Sequence, residues 1–343
     1  MLAVCKVAEC KGGIEVRNCD PIEPKAGEVR IKVSAAGICG TDMQIYNWAP
    51  RMARRMQLPR ILGHEVCGII EAVGPEVRSP KVGDFVSLES HVFCRECRQC
   101  RLGRAHLCEK TTYPGINFDG GFAEYVTVPS QICWVNPPGL SLEVAAMMEP
   151  FGISVHATRE GSGVAGKSVL INGCGPIGLM NIATARAMGA TKVIACDLNP
   201  IRLKTATEMG ADRVVNAAVE DLCSVIADMT AHAGVDVAIE YTGSEDGFNT
   251  CFQSLSKGGD FRLVGAPPKP ISVDFTQWLL KCPKMQNIHG RRIWDSWQFA
   301  LELISAKKVD LGPIHSHSIP LSEGKKGFEL ILAGKAVKPL IIP

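Results

Sequence analysis

The sequence predicts an α/β protein of two domains, a mostly β region followed by a doubly wound parallel sheet. Three observations carry that expectation. The texture of the chain changes near residue 150, a glycine-rich turn lies between a strand and a helix just beyond it, and 343 residues are enough for two sizeable cores. With 46% hydrophobic residues and a net charge of +2, the composition suits an ordinary enzyme and calls for no nucleic-acid partner.

Before residue 150 the chain holds short alternating runs such as VRIKVSAA and FAEYVTVP between Gly/Pro turns, the pattern of half-buried strands. Beyond it, KSVLINGCGPIGLMNIATARAMGATKVIACD reads as apolar strand, glycine turn, helix and second apolar strand. DRVVNA, VDVAIEYTG and DFRLVGA supply further short strands, and the tail after about residue 291 changes again and is expected to rejoin the first domain. The predicted domains are therefore 1–150 with 291–343, and 151–290. Fifteen cysteines, an odd number in apolar surroundings, fit a reducing compartment better than a disulfide framework. The N-terminus MLAVCKVAEC has no long apolar run and no stretch suggests a membrane span, so a cytoplasmic location is expected. The basic run Arg51 to Arg55 reads as a solvated loop face, with a loop near the substrate entrance as the only function considered for it.

The turn Gly173-Cys174-Gly175-Pro176-Ile177-Gly178 has the G-x-G-x-x-G pattern, after a strand and before a periodic helix. Its glycines allow close backbone approach to a pyrophosphate, and the helix start presents unpaired N–H groups to it. Asp197 closes the next strand, where a carboxylate accepts from ribose hydroxyls and repels a 2′-phosphate; NAD is favoured over NADP, with Arg202 able to soften that preference.

Cys94, Cys97, Cys100 and Cys108 follow a C-x2-C-x2-C-x7-C spacing that suits one tetrahedral metal, and a closed all-thiolate site organises chain and performs no chemistry. An iron–sulfur site and a disulfide cluster are the other readings, the former lacking the Cys-Pro ending of the bacterial ferredoxin run. A second constellation is split along the chain. Cys39 lies in GICGTD, His64-Glu65 in LGHEVCG, and Glu149 precedes Pro150. Cys39, His64 and Glu149 make a ligand set that leaves zinc an open position, with Glu65 able to exchange in.

Together GICGTD, GHEVCG, the four-cysteine loop, GGFAEYVTVP and the glycine turn resemble the zinc-dependent medium-chain alcohol dehydrogenases over essentially the full chain. Within them CGTDMQIYNW, LESHVFCRECRQCRLGRAHLC, EPFGISVHA and HGRRIWDSW are similar to the threonine-dehydrogenase branch. The resemblance implies a GroES-like β catalytic domain and a Rossmann domain with the active site in the cleft. It also implies hydride transfer from a small secondary alcohol to NAD, two zinc ions per chain and a homotetramer. It places Ile177, Asp197, Arg202, Val264, Gly265, Ala266, Ile288 and His289 along the NAD site. His91 and Arg291 become candidates to meet a substrate carboxylate, whereas His156, His315 and His317 read as structural. One position departs from the pattern. The branch carries CGTD-x-H, where Thr and His relay the alcohol's proton, but here Thr41 is followed by Gln44, whose amide cannot take up a proton near neutral pH. That leaves a 2-amino-3-hydroxy acid, a neutral polyol, diol or aminocyclitol, and a nucleotide-binding protein without catalysis as the functional readings.

Overall fold

The alternating run VRIKVSAA forms β1 (Glu28–Gly37), whose Val29, Ile31 and Val33 turn inward while Arg30 and Lys32 stay on the other face. Short helices α1 (Gly40–Tyr46) and α2 (Pro50–Ala53) follow, then β2 (Glu65–Val73), antiparallel to β1. The strand Tyr125–Pro129 and the C-terminal strand Lys338–Ile342 share the other edge of β1 within a seven-stranded sheet. Ile31, Val66, Leu62, Phe122 and Phe328 belong to its core.

The computed structural model describes residues 1–343 and divides into two units, Met1–Glu149 with His315–Pro343, and Pro150–Ile314. The division falls inside helix α3 (Leu142–Arg159), which holds both Glu149 and Pro150. The return to the first unit comes at His315, later than the expected residue 291. The reason is helix α5 (Asp295–Ser305), which buries Trp297 and Ala300 completely in the second unit. Arg159 of α3 fixes that helix, pairing with Asp295 at 2.6 Å and lying 4.5 Å over the Phe299 ring.

In the second unit β3 (Ser168–Asn172), α4 (Pro176–Ala187) and β4 (Lys192–Asp197) form the expected βαβ unit. With β5 (Arg213–Asn216), β6 (Val235–Glu240), β7 (Leu255–Leu263) and β8 (Lys284–Asn287) they build a six-stranded parallel sheet ordered β5-β4-β3-β6-β7-β8. That is the doubly wound order, and chain direction across the sheet reverses between β3 and β6, where such folds form a ligand crevice at the strands' carboxyl ends. The middle strands β3 and β6 are mostly apolar and largely buried, as strands covered on both faces are. No helix is long and apolar enough to cross a membrane.

Candidate active site

In the first unit, sheet register alone brings Cys39 to His64-Glu65. Gly37 at the end of β1 pairs with Glu65 at the start of β2, so the residue two beyond β1 and the residue just before β2 come to one place. The ligand atoms of Cys39, His64 and Glu65 all lie within 4.8 Å of one another, with His64 and Glu65 buried. Gly37 has a packing reason: a Cβ there would collide with the Glu65 carboxylate and sit 2.9 Å from the Lys338 stem. Glu65, expected only to exchange in, thus stands beside Cys39 and His64 as a ligand candidate. Glu65 is in the cluster by strand register, whereas Glu149, on α3, acts on His64, Glu65 and Lys338 as a neighbouring charge.

Two further groups complete the arrangement. Asp42 is fully buried, accepts the Cys39 backbone N–H at 2.9 Å, and holds its other oxygen 3.7 Å from His64 Nδ1, where its charge acts on the imidazole. Lys338 of the C-terminal strand, 1% exposed, donates to the Glu65 carboxylate and to the Ile38 carbonyl at 3.1 Å. Burial opposes a charge on His64, yet Asp42, then Cys39 and Glu149, push its pKa well above the ordinary value. Burial also raises Asp42 and Glu65, against the pull of His64 and Lys338 respectively. Three buried carboxylates and a thiol stand around one imidazole and one ammonium, and this donor set suits a divalent zinc ion. Thr41 and Gln44 stand one turn apart on α1, both half-buried, so they share a face of that helix.

His91 sits in a tight acidic bracket: Glu89 Oε1 accepts its backbone N–H and lies 2.9 Å from Nδ1, and the Tyr113 ring meets the imidazole edge-on at 4.9 Å. Arg291 belongs to the second unit, 1% exposed, its stem filling the space a Cβ on Gly152 would need.

The four cysteines converge as their spacing requires. Sulfur–sulfur distances are 3.5 Å for Cys94–Cys108 and 4.0 Å for both Cys94–Cys100 and Cys97–Cys108. A tetrahedron with zinc–sulfur bonds of about 2.3 Å has edges of about 3.8 Å, so this is the span of a shared metal and far beyond a disulfide bond. Backbone N–H groups of Cys94 and Lys110 point at Cys108 Sγ and that of Cys97 at Cys94 Sγ, 3.3 to 3.4 Å away. Such donors, that of Cys100 first, pull Cys97 down to about 6.

In the second unit, the carboxyl ends of β3, β4, β6 and β7 meet around the glycine turn. Gly173 has φ +102°, which disfavours any side chain, and a Cβ there would press on Thr242 at 3.1 Å. Gly175 starts α4 with open space before it, and Gly178 packs against the Gly173 carbonyl. Asp197 accepts the Cys174 N–H at 2.8 Å with one oxygen and the Leu198 and Asn199 N–H groups with the other, and Arg202 lies 3.6 Å away. Val264 and Gly265 both donate to the Glu240 carbonyl, and Ile288 to that of Leu263, so Val264–Ala266 and Ile288–His289 extend the same rim. Glu240 and Thr242 escaped the sequence reading. The buried Glu240 carboxylate gathers the Thr242 hydroxyl and the N–H groups of Thr242 and Gly243, fixing the loop beside Gly173. The signal was an acid and a glycine, EYTG, ending an otherwise apolar strand.

Residues 25–138 match the alcohol dehydrogenase GroES-like domain family and residues 176–306 the zinc-binding dehydrogenase family. The chain belongs to the zinc-dependent medium-chain alcohol dehydrogenases, oxidoreductases acting on CH–OH groups. It is 40% identical to the L-threonine 3-dehydrogenase of Bacillus subtilis (strain 168) over 317 residues, 92% of this chain and 91% of that one. Among solved structures it is similar to an alcohol dehydrogenase from E. coli CFT073 in complex with NADH, with TM-score 0.92 and 26% identity over 100% of this chain and 99% of that one. It is similar too to the 2R,3R-butanediol dehydrogenase of Bacillus subtilis, with TM-score 0.90, 29% identity and the same coverage.

Proposed function

We propose that this protein oxidises the secondary alcohol of a 2-amino-3-hydroxy acid, L-threonine being the first substrate to test, with NAD as acceptor and two zinc ions per chain. The observation that supports it most is the buried Cys39–His64–Glu65 cluster in a chain 40% identical to a threonine dehydrogenase. Cys39, His64 and Glu65 would hold the catalytic zinc, with Glu149 supplying a nearby negative charge, and the four cysteines would hold the structural one. Zinc bound there supplies Lewis acidity toward an alcohol oxygen, and a bound nicotinamide supplies the hydride acceptor. Asp42 acts on His64 through its charge, and Lys338 balances Glu65 so that the site does not carry an unopposed carboxylate. The alcohol's proton leaves by the Thr41 hydroxyl, with Gln44 on the same helical face orienting the next acceptor by hydrogen bonds, since an amide holds no proton. Asp197, with Arg202 beside it, is the group that meets the adenosine ribose.

A neutral vicinal diol is the second reading. Gln44 in place of the relay histidine and the likeness to butanediol dehydrogenase favour it. Self-association is also proposed: Phe275, Leu279 and Leu280, 77%, 72% and 63% exposed, lie on the helix that precedes the sheet-edge strand β8 in sequence. The test is NAD reduction by zinc-loaded and zinc-stripped protein across L-threonine, its isomers, short diols and polyols, with metal content and mass measured alongside. Zinc-dependent turnover of threonine supports the first reading; turnover of diols alone selects the second, and no turnover on any of them overturns both.

A further inference from the structure

The basic run after α1 is not uniformly a solvated face. Arg51 and Arg54 are exposed, but Arg55 is half-buried and its guanidinium lies 5.0 Å over the Tyr113 ring. Tyr113 in turn meets His91 edge-on at 4.9 Å, and His91 is held by Glu89. Backbone pairing of Val92 with Thr112, at 2.9 and 3.2 Å, fixes the His91 and Tyr113 segments side by side. The group is tied to the metal-ligand cluster at two points. Gly115 packs on the residue before His64, where a Cβ would stand 2.9 Å from the Gly63 nitrogen. The chain leading to Arg55 starts from α1 itself, with Ala49 N–H donating to the Gln44 carbonyl at 3.0 Å.

Arg55 has no carboxylate within ion-pair distance, and the acid of its own group, Glu89, is occupied by His91. A guanidinium held over an aromatic face makes no hydrogen bond to it and keeps its planar fork of donors for another anion, and that fork matches a carboxylate. Arg291, the arginine named for this role from the sequence, is 1% exposed and packs its stem on Gly152 in the second unit. We propose that Arg55 anchors the carboxylate of the substrate, with Tyr113 holding its plane and His91 bracing Tyr113. The assignment rests on the amino-acid reading of the substrate. It makes Arg55 a specificity-determining residue: it distinguishes a 2-amino-3-hydroxy acid from its uncharged relatives and leaves the reacting carbon untouched.

The experiment compares zinc-loaded wild type, Arg55→Gln and Arg55→Lys on L-threonine, L-threoninamide and 2,3-butanediol. Loss of a charge-assisted fork predicts a KM for L-threonine raised about tenfold or more in Arg55→Gln, with kcat near wild type. KM for the amide and the diol should stay unchanged, and Arg55→Lys should recover part of the loss. An unchanged KM for threonine, or an equal rise for all three substrates, overturns the anchor while leaving the substrate reading intact. If wild type oxidises the diol and no hydroxy amino acid, the substrate reading fails, and the anchor fails with it.

Discussion

Two glycines of the nucleotide turn should respond differently to the same added methyl group. Gly178 lies in the first turn of α4, and a Cβ there would overlap the Gly173 carbonyl oxygen and reach 3.1 Å from its carbon. Backbone cannot rotate aside as a side chain does, so the turn and helix must part; overpacking of this kind costs about 1–3 kcal/mol. Gly175 has φ −65° and nothing within 4 Å, so alanine fits the free protein without strain. In Gly175→Ala, unfolding free energy should stay within about 0.5 kcal/mol of wild type, the range of substitutions that disturb no packing. The methyl group would instead occupy the space into which a pyrophosphate settles. Losing one charge-assisted backbone hydrogen bond, about 1.5–3 kcal/mol, raises the dissociation constant of NADH about tenfold or more. Urea unfolding and NADH fluorescence titration measure the two quantities. Gly178→Ala should impair both and Gly175→Ala only binding; wild-type NADH affinity in Gly175→Ala would refute the idea that the dinucleotide lies against this turn.

Cys97→Ser should lower zinc content from two ions per chain to one and reduce thermal stability, since a structural zinc contributes folding free energy directly; mass spectrometry of the native protein counts the ions. Gln44→His, placed beside Thr41, should raise kcat near neutral pH and bring in an ionisation near that of histidine, and an unchanged pH–rate profile would mean that the route through Thr41 already suffices. His156 is buried between the Gly290 carbonyl and Glu160; burial first, then Arg292, lowers its pKa below the ordinary 6.5, against the pull of that carbonyl and carboxylate. The unfolded chain therefore takes up the proton first, so this residue's contribution is complete above 6.5 and is lost as pH falls below it. Denaturant titrations from pH 7.5 to 5 should show a decline that flattens in His156→Gln.

The second unit was the more legible half, because its information is local. An apolar strand, a glycine turn and a helix stand within some twenty residues, and each implies the next. The metal cluster of the first unit was visible as residue types, but its internal order was not. Placing Glu65 beside Cys39 requires the pairing of Gly37 with Glu65, a register between strands that sequence pattern does not specify. Lys338 was out of reach for the same reason: it comes from the far end of the chain, and a lysine opening a final strand looks like a surface residue until its partner is known. The boundary at 291 was misplaced because HGRRIWDSW breaks the strand–helix rhythm, although Trp297 and Arg159 bind α5 to the second unit. Arg55 looked like its exposed neighbours because a cation–π contact leaves no mark in a basic run.

The most direct test of the account is NAD reduction with L-threonine by wild type and Cys39→Ala, with zinc counted in each. Wild type should turn over with two zinc ions per chain. The variant should keep the four-cysteine zinc and its NADH affinity while losing turnover. A Cys39→Ala protein carrying one zinc and reducing NAD at the wild-type rate would contradict the assignment of the chemistry to Cys39, His64 and Glu65.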